Sequence, residues 1–168
     1  MTSRRSIDTR AFRSALGQFA TGVTVVTTLR GDGRPQGLTV NAFCAVSLDP
    51  PLVLVCIDKR SETHPGFTAS GVFGVSVLSE GQQGVSERFA SGGGSKLSGI
   101  AFLTGENGVP LVPQALAHIE CRTHAVHEGG DHRIYVGEVL SLATQAGRPL
   151  LYHASRYRRL APQARGAG

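Results

Sequence analysis

Residues 37–57 read GLTVNAFCAVSLDPPLVLVCI, and this stretch decides the fold class. Small and hydroxyl-bearing residues crowd its first half, whereas residues 52–57 are continuously apolar, which is typical of a buried strand. Pro50 and Pro51 force a turn between the two halves. The stretch therefore predicts a strand pair whose backbone a planar ligand can approach, because little side chain stands in the way. Ordinary β-packing also accounts for this composition.

Short apolar runs separated by turn residues extend this pattern over the rest of the chain. An amphipathic helix is predicted over residues 8–20, a short helix within 58–70, and another from Ser79 through Phe89. Strands are predicted at 23–29, from 36, and at 39–48, 52–57, 72–78, 119–125, 133–142 and 150–152. The pattern predicts a mainly β fold, a closed antiparallel barrel with a few flanking helices.

The length and composition indicate one domain. The chain has 168 residues, of which 40% are hydrophobic, enough for a real core. We expect a domain over residues 10–160, a flexible segment at 1–9 and a disordered tail at 161–168. No apolar run approaches the roughly 18 residues that a membrane span requires, and the polar, Arg-rich start is unlike a secretory signal.

The cysteines predict a reducing compartment. Cys44, Cys56 and Cys121 are odd in number and widely spaced, with no CxxC pair. Cys44 and Cys56 lie in apolar runs, so all three are expected to be buried, reduced thiols of a cytoplasmic protein.

The basic charge balance belongs to the two ends of the chain. The formal net charge is +5 and the pI is about 9.6. Residues 1–13 carry four arginines against one aspartate, and residues 148–168 carry five arginines and no acid, so the body between them is acidic. Aromatic residues make up only 6% of the chain. Nucleic-acid binding is therefore not expected, because it requires a basic face and stacking rings.

Several common catalytic motifs are missing from the sequence. The Gly-rich residues 92–96 end in Ser95-Lys96, an order that differs from a P-loop, and no GxGxxG joins a strand to a helix. His124 and His127 have opposite parity on one predicted strand, so they do not converge on a metal. Neither HExxH nor GxSxG occurs. No metal site is expected, and any nucleotide site must use another architecture.

Five segments together resemble the flavin reductase family, whose members supply reduced flavin to two-component monooxygenases. They are FRSALGQFATGVTVVT at 12–27, the block at 37–57, SERFA at 86–90, GDH at 130–132, and PLLY at 149–152 with Tyr157. The resemblance covers roughly residues 10–160. It implies the FMN-binding split-barrel fold.

The resemblance also implies roles for individual residues. Contact with the flavin ring is implied for Thr39, Asn41, Cys44, Ala45, Val46 and Ser47. The phosphate end is implied for Asp58, Lys59, Ser61 and Thr63, supported by Arg88 and Phe89. His132 is the implied catalytic residue beside the nicotinamide, with Asp131 orienting it, and Tyr152 and Tyr157 are further candidates for the ring or nicotinamide pocket. Cys44-Ala45 replaces the family's common Thr-Ser pair, so two hydroxyl donors are missing.

The implied function is an NAD(P)H:flavin oxidoreductase. It would transfer a hydride from NADH, or alternatively NADPH, to free FAD or FMN and hand the reduced flavin to a partner monooxygenase. The resemblance further implies a homodimer with flavin near the subunit boundary. Two alternatives stay open: an oxidase that holds its flavin tightly and acts on its own substrate, and a non-catalytic flavin-binding barrel. The sequence does not choose between FAD and FMN.

Overall fold

One seven-stranded antiparallel sheet organises the chain. The computed structural model describes residues 6–92, 97 and 99–161. The order in this sheet is β3-β2-β6-β9-β10-β5-β4, and β1-β11-β12 and β7-β8 form two small sheets. The strands are β1 Thr21–Gly22, β2 Thr24–Leu29, β3 Pro35–Val40, β4 Phe43–Leu48, β5 Pro51–Asp58, β6 Val72–Val77, β7 Leu103–Thr104, β8 Pro110–Leu111, β9 Ala117–Gly129, β10 His132–Thr144, β11 Leu151–His153 and β12 Arg156–Arg158.

Three α-helices flank the sheet among the described residues: α1 Thr9–Leu16, α2 His64–Ser70 and α3 Gln83–Ala90. A 3₁₀ turn, Glu80–Gln82, precedes α3. Asp8 caps α1 by accepting hydrogen bonds from the amides of Arg10 and Ala11. The helix is shorter than the predicted 8–20 and buries none of its residues. Phe12, for example, is 52% exposed. The helix is therefore amphipathic as predicted, but its apolar face is not buried against the rest of the described chain.

The predicted strand at 39–48 is wrong in one respect, because it is two strands. The chain bends at Asn41 and Ala42, and β3 and β4 then lie at opposite edges of the large sheet. No ladder joins these edges among the described residues, so the predicted closed barrel is not confirmed. Asn41 and Ala42 are poor strand formers, but the sequence does not show that the strands on either side of them pair with different neighbours.

Two clusters of buried residues form the core. The first lies inside the curved sheet and includes Val40 of β3 together with Val53 and Val55 of β5. The second lies under α3 and the small sheet, and includes Val25, Leu78, Phe89, Val112 and Leu150. The first cluster brings β3 and β5 onto one core although they do not pair.

Buried polar side chains anchor the segment between β7 and β9. Glu120 of β9 accepts from the backbone amides of Glu106 at 2.9 Å and Asn107 at 2.8 Å. Ser76 accepts from the Val112 amide at 3.0 Å. These bonds satisfy backbone groups that have no strand partner, which keeps an irregular segment packed against the sheet.

The remaining predicted strands and helices are confirmed within a few residues. The Gly-rich loop at 91–98, the predicted flexible segment at 1–9 and the predicted disordered tail at 161–168 fall largely outside the described residues. All three cysteines are free. Cys121 is buried as expected, but Cys44 is exposed, which corrects its predicted burial. The reason is that Cys44 lies opposite Leu54, on the face of the sheet that points away from the core. In the part of the chain that the structure describes, every helix is too short or too polar to cross a membrane.

Candidate functional site

Strand β4 is an exposed sheet edge with small side chains. Cys44, Ala45 and Val46 are all exposed, and Ser47 is half-buried. The Cys56 amide donates to the Ala42 carbonyl at 3.2 Å. Since inward and outward backbone groups alternate in an antiparallel pair, the Ala45 N–H and C=O point away from β5.

A register shift between Ala45 and Ser47 leaves Val46 as an extra residue in β4. Such a bulge interrupts the ladder of hydrogen bonds and bends the strand, which changes the direction of the backbone groups beside it. Asn41, just before this strand, is also exposed. The edge from Asn41 to Ser47 therefore offers backbone donors and acceptors to a flat ligand, as predicted from the small residues.

The ends of β5 and β10 form a polar junction. Asp58 lies opposite His132 in the ladder. The Lys59 amide donates to the Asp131 carbonyl at 3.0 Å, and Lys59 Nζ donates to the Gly130 carbonyl at 2.7 Å. These bonds lock the loop after β5 onto the β9–β10 turn. Four predicted site residues, Asp58, Lys59, Asp131 and His132, are thus brought together.

The donor and the acceptor of the Asp131–His132 hydrogen bond can be assigned. His132 Nδ1 lies 2.7 Å from Asp131 Oδ1. The bond with the imidazole lowers the pKa of the Asp131 carboxyl, so that group is an acceptor only and Nδ1 carries the proton. In the described part of the chain Nε2 has no such partner. It is therefore the ring nitrogen that a ligand can meet.

The basic side chains at the junction are already paired. Arg60 donates two hydrogen bonds to Asp58, which hold the pKa of that carboxyl well below its ordinary range. Lys59 forms an ion pair with Glu128, and this contact, together with Arg133, lowers the pKa of the Glu128 carboxyl. The predicted phosphate residues Asp58 and Lys59 are therefore both engaged with neighbours.

A cavity of about 320 Å³ lies between β3, the loop after β5 and the end of α3. Thr39, Ser61 and Phe89 line it. Thr39, whose implied contact is the flavin ring, thus lies beside Ser61 and Phe89, whose implied contact is the phosphate. The Thr39 hydroxyl donates to the Ser86 carbonyl at 2.6 Å, which ties β3 to α3. Arg60 also lines the cavity. Arg60 is not among the predicted flavin contacts, although it directly follows the Asp58-Lys59 pair at the end of an apolar strand.

Four further predicted site residues are partly or fully buried. Thr63 is only 1% exposed, and its hydroxyl shares a 2.7 Å hydrogen bond with Ser61, so it supports that side chain from beneath. The rings of Tyr152 and Tyr157 contact each other and pack on the second core cluster. The Tyr157 hydroxyl bonds to Ser86. Arg88 lies half-buried in the last turn of α3.

An open edge strand, a polar junction and a hydroxyl-lined cavity define a β-sheet protein suited to a flat ligand that carries an anionic group. The family model described as "Flavin reductase like domain" matches residues 16–161. The chain belongs to this family, which confirms the resemblance read from its motifs.

Individual relatives agree over nearly the whole chain. The flavin-dependent monooxygenase reductase subunit HsaB of Rhodococcus jostii is 44% identical over 158 residues, which are 94% of this chain and 80% of the relative. The FMN reductase (NADH) SmoA of Agrobacterium fabrum is 45% identical over 156 residues, 93% and 88% of the two chains.

A solved structure is similarly close. It is the Streptomyces globisporus NADH:FAD oxidoreductase SgcE6 in complex with NAD and FAD fragments. It superposes with a TM-score of 0.87 at 41% identity, and the match covers 95% of this chain and 99% of that chain.

Proposed function

We propose that this protein is an NADH-dependent flavin reductase, which transfers a hydride from NADH to FAD or FMN and supplies the reduced flavin to a separate monooxygenase. The names of the relatives support the reaction and the two-component arrangement. The structural observation that carries the proposal is that Cys44 and His132 lie on one face of the sheet. Cys44 is paired with Leu54 and His132 with Asp58, and both partners face away from the core.

The spacing across this face suits two stacked ring systems. Strands lie about 4.8 Å apart and residues rise about 3.3 Å along a strand, so the Cα atoms of Cys44 and His132 are about 16 Å apart. A flavin ring on β4 would leave room for a nicotinamide between it and His132. Positioning of this kind is the main task of the protein, because the cofactors supply the hydride chemistry themselves.

Each part of the site has a separate task in this proposal. The outward Ala45 amide of β4 donates a hydrogen bond to the ring edge, where a preorganised dipole stabilises developing negative charge. Ser61 and Arg60 bind the phosphate in the cavity of about 320 Å³. His132, held by Asp131, presents Nε2 to the nicotinamide carboxamide.

The exposure of the site supports loose flavin binding. Cys44 and Ala45 supply no hydroxyl donors to the ring, and the strand that carries them is open. A flavin held mainly by backbone groups and one cavity can leave after reduction. This favours the reductase over an oxidase that keeps its flavin, and the Asp131–His132 pair favours it over a non-catalytic flavin-binding barrel.

We also propose that the protein works as a homodimer with the split-barrel fold of its family, in the cytoplasm. Large apolar side chains are exposed on the single chain, among them Leu48, 95% exposed, and Leu142. Exposed apolar patches of this kind are typical of interfaces, and a second copy is the usual partner. Free cysteines are typical of a reducing compartment.

The direct test follows NADH oxidation by the loss of nicotinamide absorbance. The purified protein is mixed with NADH and an excess of FMN or FAD. We expect NADH consumption that depends on added flavin, and protein that emerges nearly colourless from gel filtration. Absence of consumption with both flavins would overturn the proposal. Consumption by protein that keeps a stoichiometric flavin through gel filtration would favour the oxidase.

A further inference from the structure

A second and larger cavity lies beside the proposed phosphate cavity. It measures about 910 Å³. Arg30 and Arg34 of the β2–β3 hairpin line one side, Pro65 at the start of α2 lines another, and Ile100 and Phe102 line a third. No step of the proposed reaction uses this cavity.

The two cavities are neighbours along the unpaired edge of β3. Gln36 lines the large cavity, and Thr39, three residues further along the same strand, lines the small one. Glu62 lines both. The wall between them is aromatic, because Phe89 of the small cavity packs edge-on against Phe102 of the large one with ring centroids 6.1 Å apart.

The lining of the large cavity suits a group that is flat at one end and anionic at the other. Ile100, Phe102 and Pro65 offer apolar and aromatic surface to a planar ring. Arg30 and Arg34 share a single carboxylate, that of Asp32, at 3.6 Å and 2.7 Å. The hairpin tip therefore carries a surplus positive charge beside the apolar surface.

Gln36 also lines the large cavity, but its side-chain oxygen is turned away from the open space. That oxygen is fully buried and packs against Gly66 of α2, where an added Cβ would collide with it. Gln36 therefore forms part of the wall, and recognition of a ligand falls to the apolar surface and the two arginines.

We propose that the large cavity binds the adenylate half of FAD. The ring and first phosphate of the same molecule would occupy β4 and the small cavity, so this inference rests on the proposed function. It makes FAD the preferred flavin over FMN, which has no adenylate. Glu62 opposes this binding, since its carboxylate borders the path between the cavities, and its exposed position leaves it room to turn toward solvent.

The test measures flavin binding by quenching of flavin fluorescence, which requires no turnover. Ala69 lines the large cavity and is exposed on α2, so Ala69→Trp fills the cavity without entering the core. We expect wild-type protein to bind FAD at least about tenfold more tightly than FMN. Ala69→Trp should remove that preference and change the Kd for FMN less than about twofold.

A charge variant gives a second and independent measurement. Arg34→Glu should weaken FAD binding by about tenfold and leave FMN binding unchanged. Arg158→Glu, on an exposed arginine of β12 that lines neither cavity, is the matched control and should change neither Kd.

Two results would overturn the inference. One is equal affinity of the wild type for FAD and FMN, with neither Ala69→Trp nor Arg34→Glu selective for FAD. The other is that Ala69→Trp and Arg34→Glu raise the KM for NADH, measured with FMN as acceptor, but leave the Kd for FAD at the wild-type value. The cavity would then bind the adenylate of the nicotinamide dinucleotide. Failure of the proposed function looks different, since the wild type would then consume no NADH with either flavin.

Discussion

Replacing Glu120 by alanine should destabilise the fold strongly. Glu120 is a carboxylate only 4% exposed, and it accepts hydrogen bonds from the amides of Glu106 and Asn107 and from the Ser141 hydroxyl at 2.8 Å. Truncation leaves those two amides without a protein acceptor. An unsatisfied buried donor costs about 1–3 kcal/mol.

For two such amides the cost is about 2–6 kcal/mol, and the expected loss lies toward the lower end of that range. Glu106 and Asn107 are themselves exposed, so water can reach part of the vacated site. We expect Glu120→Ala to lower the free energy of unfolding by about 2–3 kcal/mol, and the Tm by about 5–10 °C for a chain of this length. Urea unfolding followed by far-UV circular dichroism, at fixed protein concentration, measures the change.

Glu138→Ala is the matched control for this measurement. Glu138 is a partly exposed glutamate on β10, paired with Arg122 at 2.9 Å, and such surface pairs contribute about 0–1 kcal/mol. The reasoning fails if Glu120→Ala unfolds within about 0.5 kcal/mol of the wild type, or if Glu138→Ala costs as much.

The other predictions concern pH, packing and the site. Burial raises the pKa of the Glu120 carboxyl, but its hydrogen-bond donors outweigh burial and lower it overall, so its stabilising effect is present above the ordinary value of about 4.3 and lost as pH falls through the folded-state value. Glu120→Gln should lack this acid-side loss in urea titrations at several pH values. Gly137→Ala should cost about 1–3 kcal/mol in the same assay, because the added carbon would collide with the Phe73 ring. His132→Ala should raise the KM for NADH about tenfold, whereas His124→Ala should not, and equal values would remove His132 from the nicotinamide site. Cys44→Thr should tighten flavin binding several-fold, measured by fluorescence titration, since it adds a hydroxyl beside the proposed ring position, and unchanged binding would count against that placement.

Features set by neighbouring residues could be predicted from the sequence. The hairpin between β2 and β3 follows from Gly31-Asp32-Gly33, and the turn into β5 follows from its two prolines. Local chemistry is enough to predict turns of this kind. The polar junction is different, because the resemblance assigned Asp58 and Lys59 to the phosphate and Asp131 and His132 to the nicotinamide. Only the pairing of β5 with β10 brings the four residues together.

Features set by distant residues could not be predicted. Asn41 and Ala42 have low β propensity, but two such residues do not reveal that the strands on either side pair with different partners, which depends on the pairing of β4 with β5. Thr63 resembles a phosphate contact in the sequence, yet the packing of α2 buries it. Cys44 resembles a core thiol because its neighbours are apolar, but its side chain lies on the face of β4 that points away from the core.

The distribution of charge explains how one site could bind an anionic cofactor and still release it. The chain is basic overall, but its arginine-rich ends carry the excess, and at the junction Arg60 and Lys59 are neutralised by Asp58 and Glu128. A phosphate at Ser61 would therefore meet oriented donors in a nearly neutral surrounding. Oriented hydrogen bonds select the ligand's geometry, whereas a strong excess of positive charge would mainly slow its release. A reductase that passes its flavin to another protein has to select the flavin by its geometry and still release it quickly.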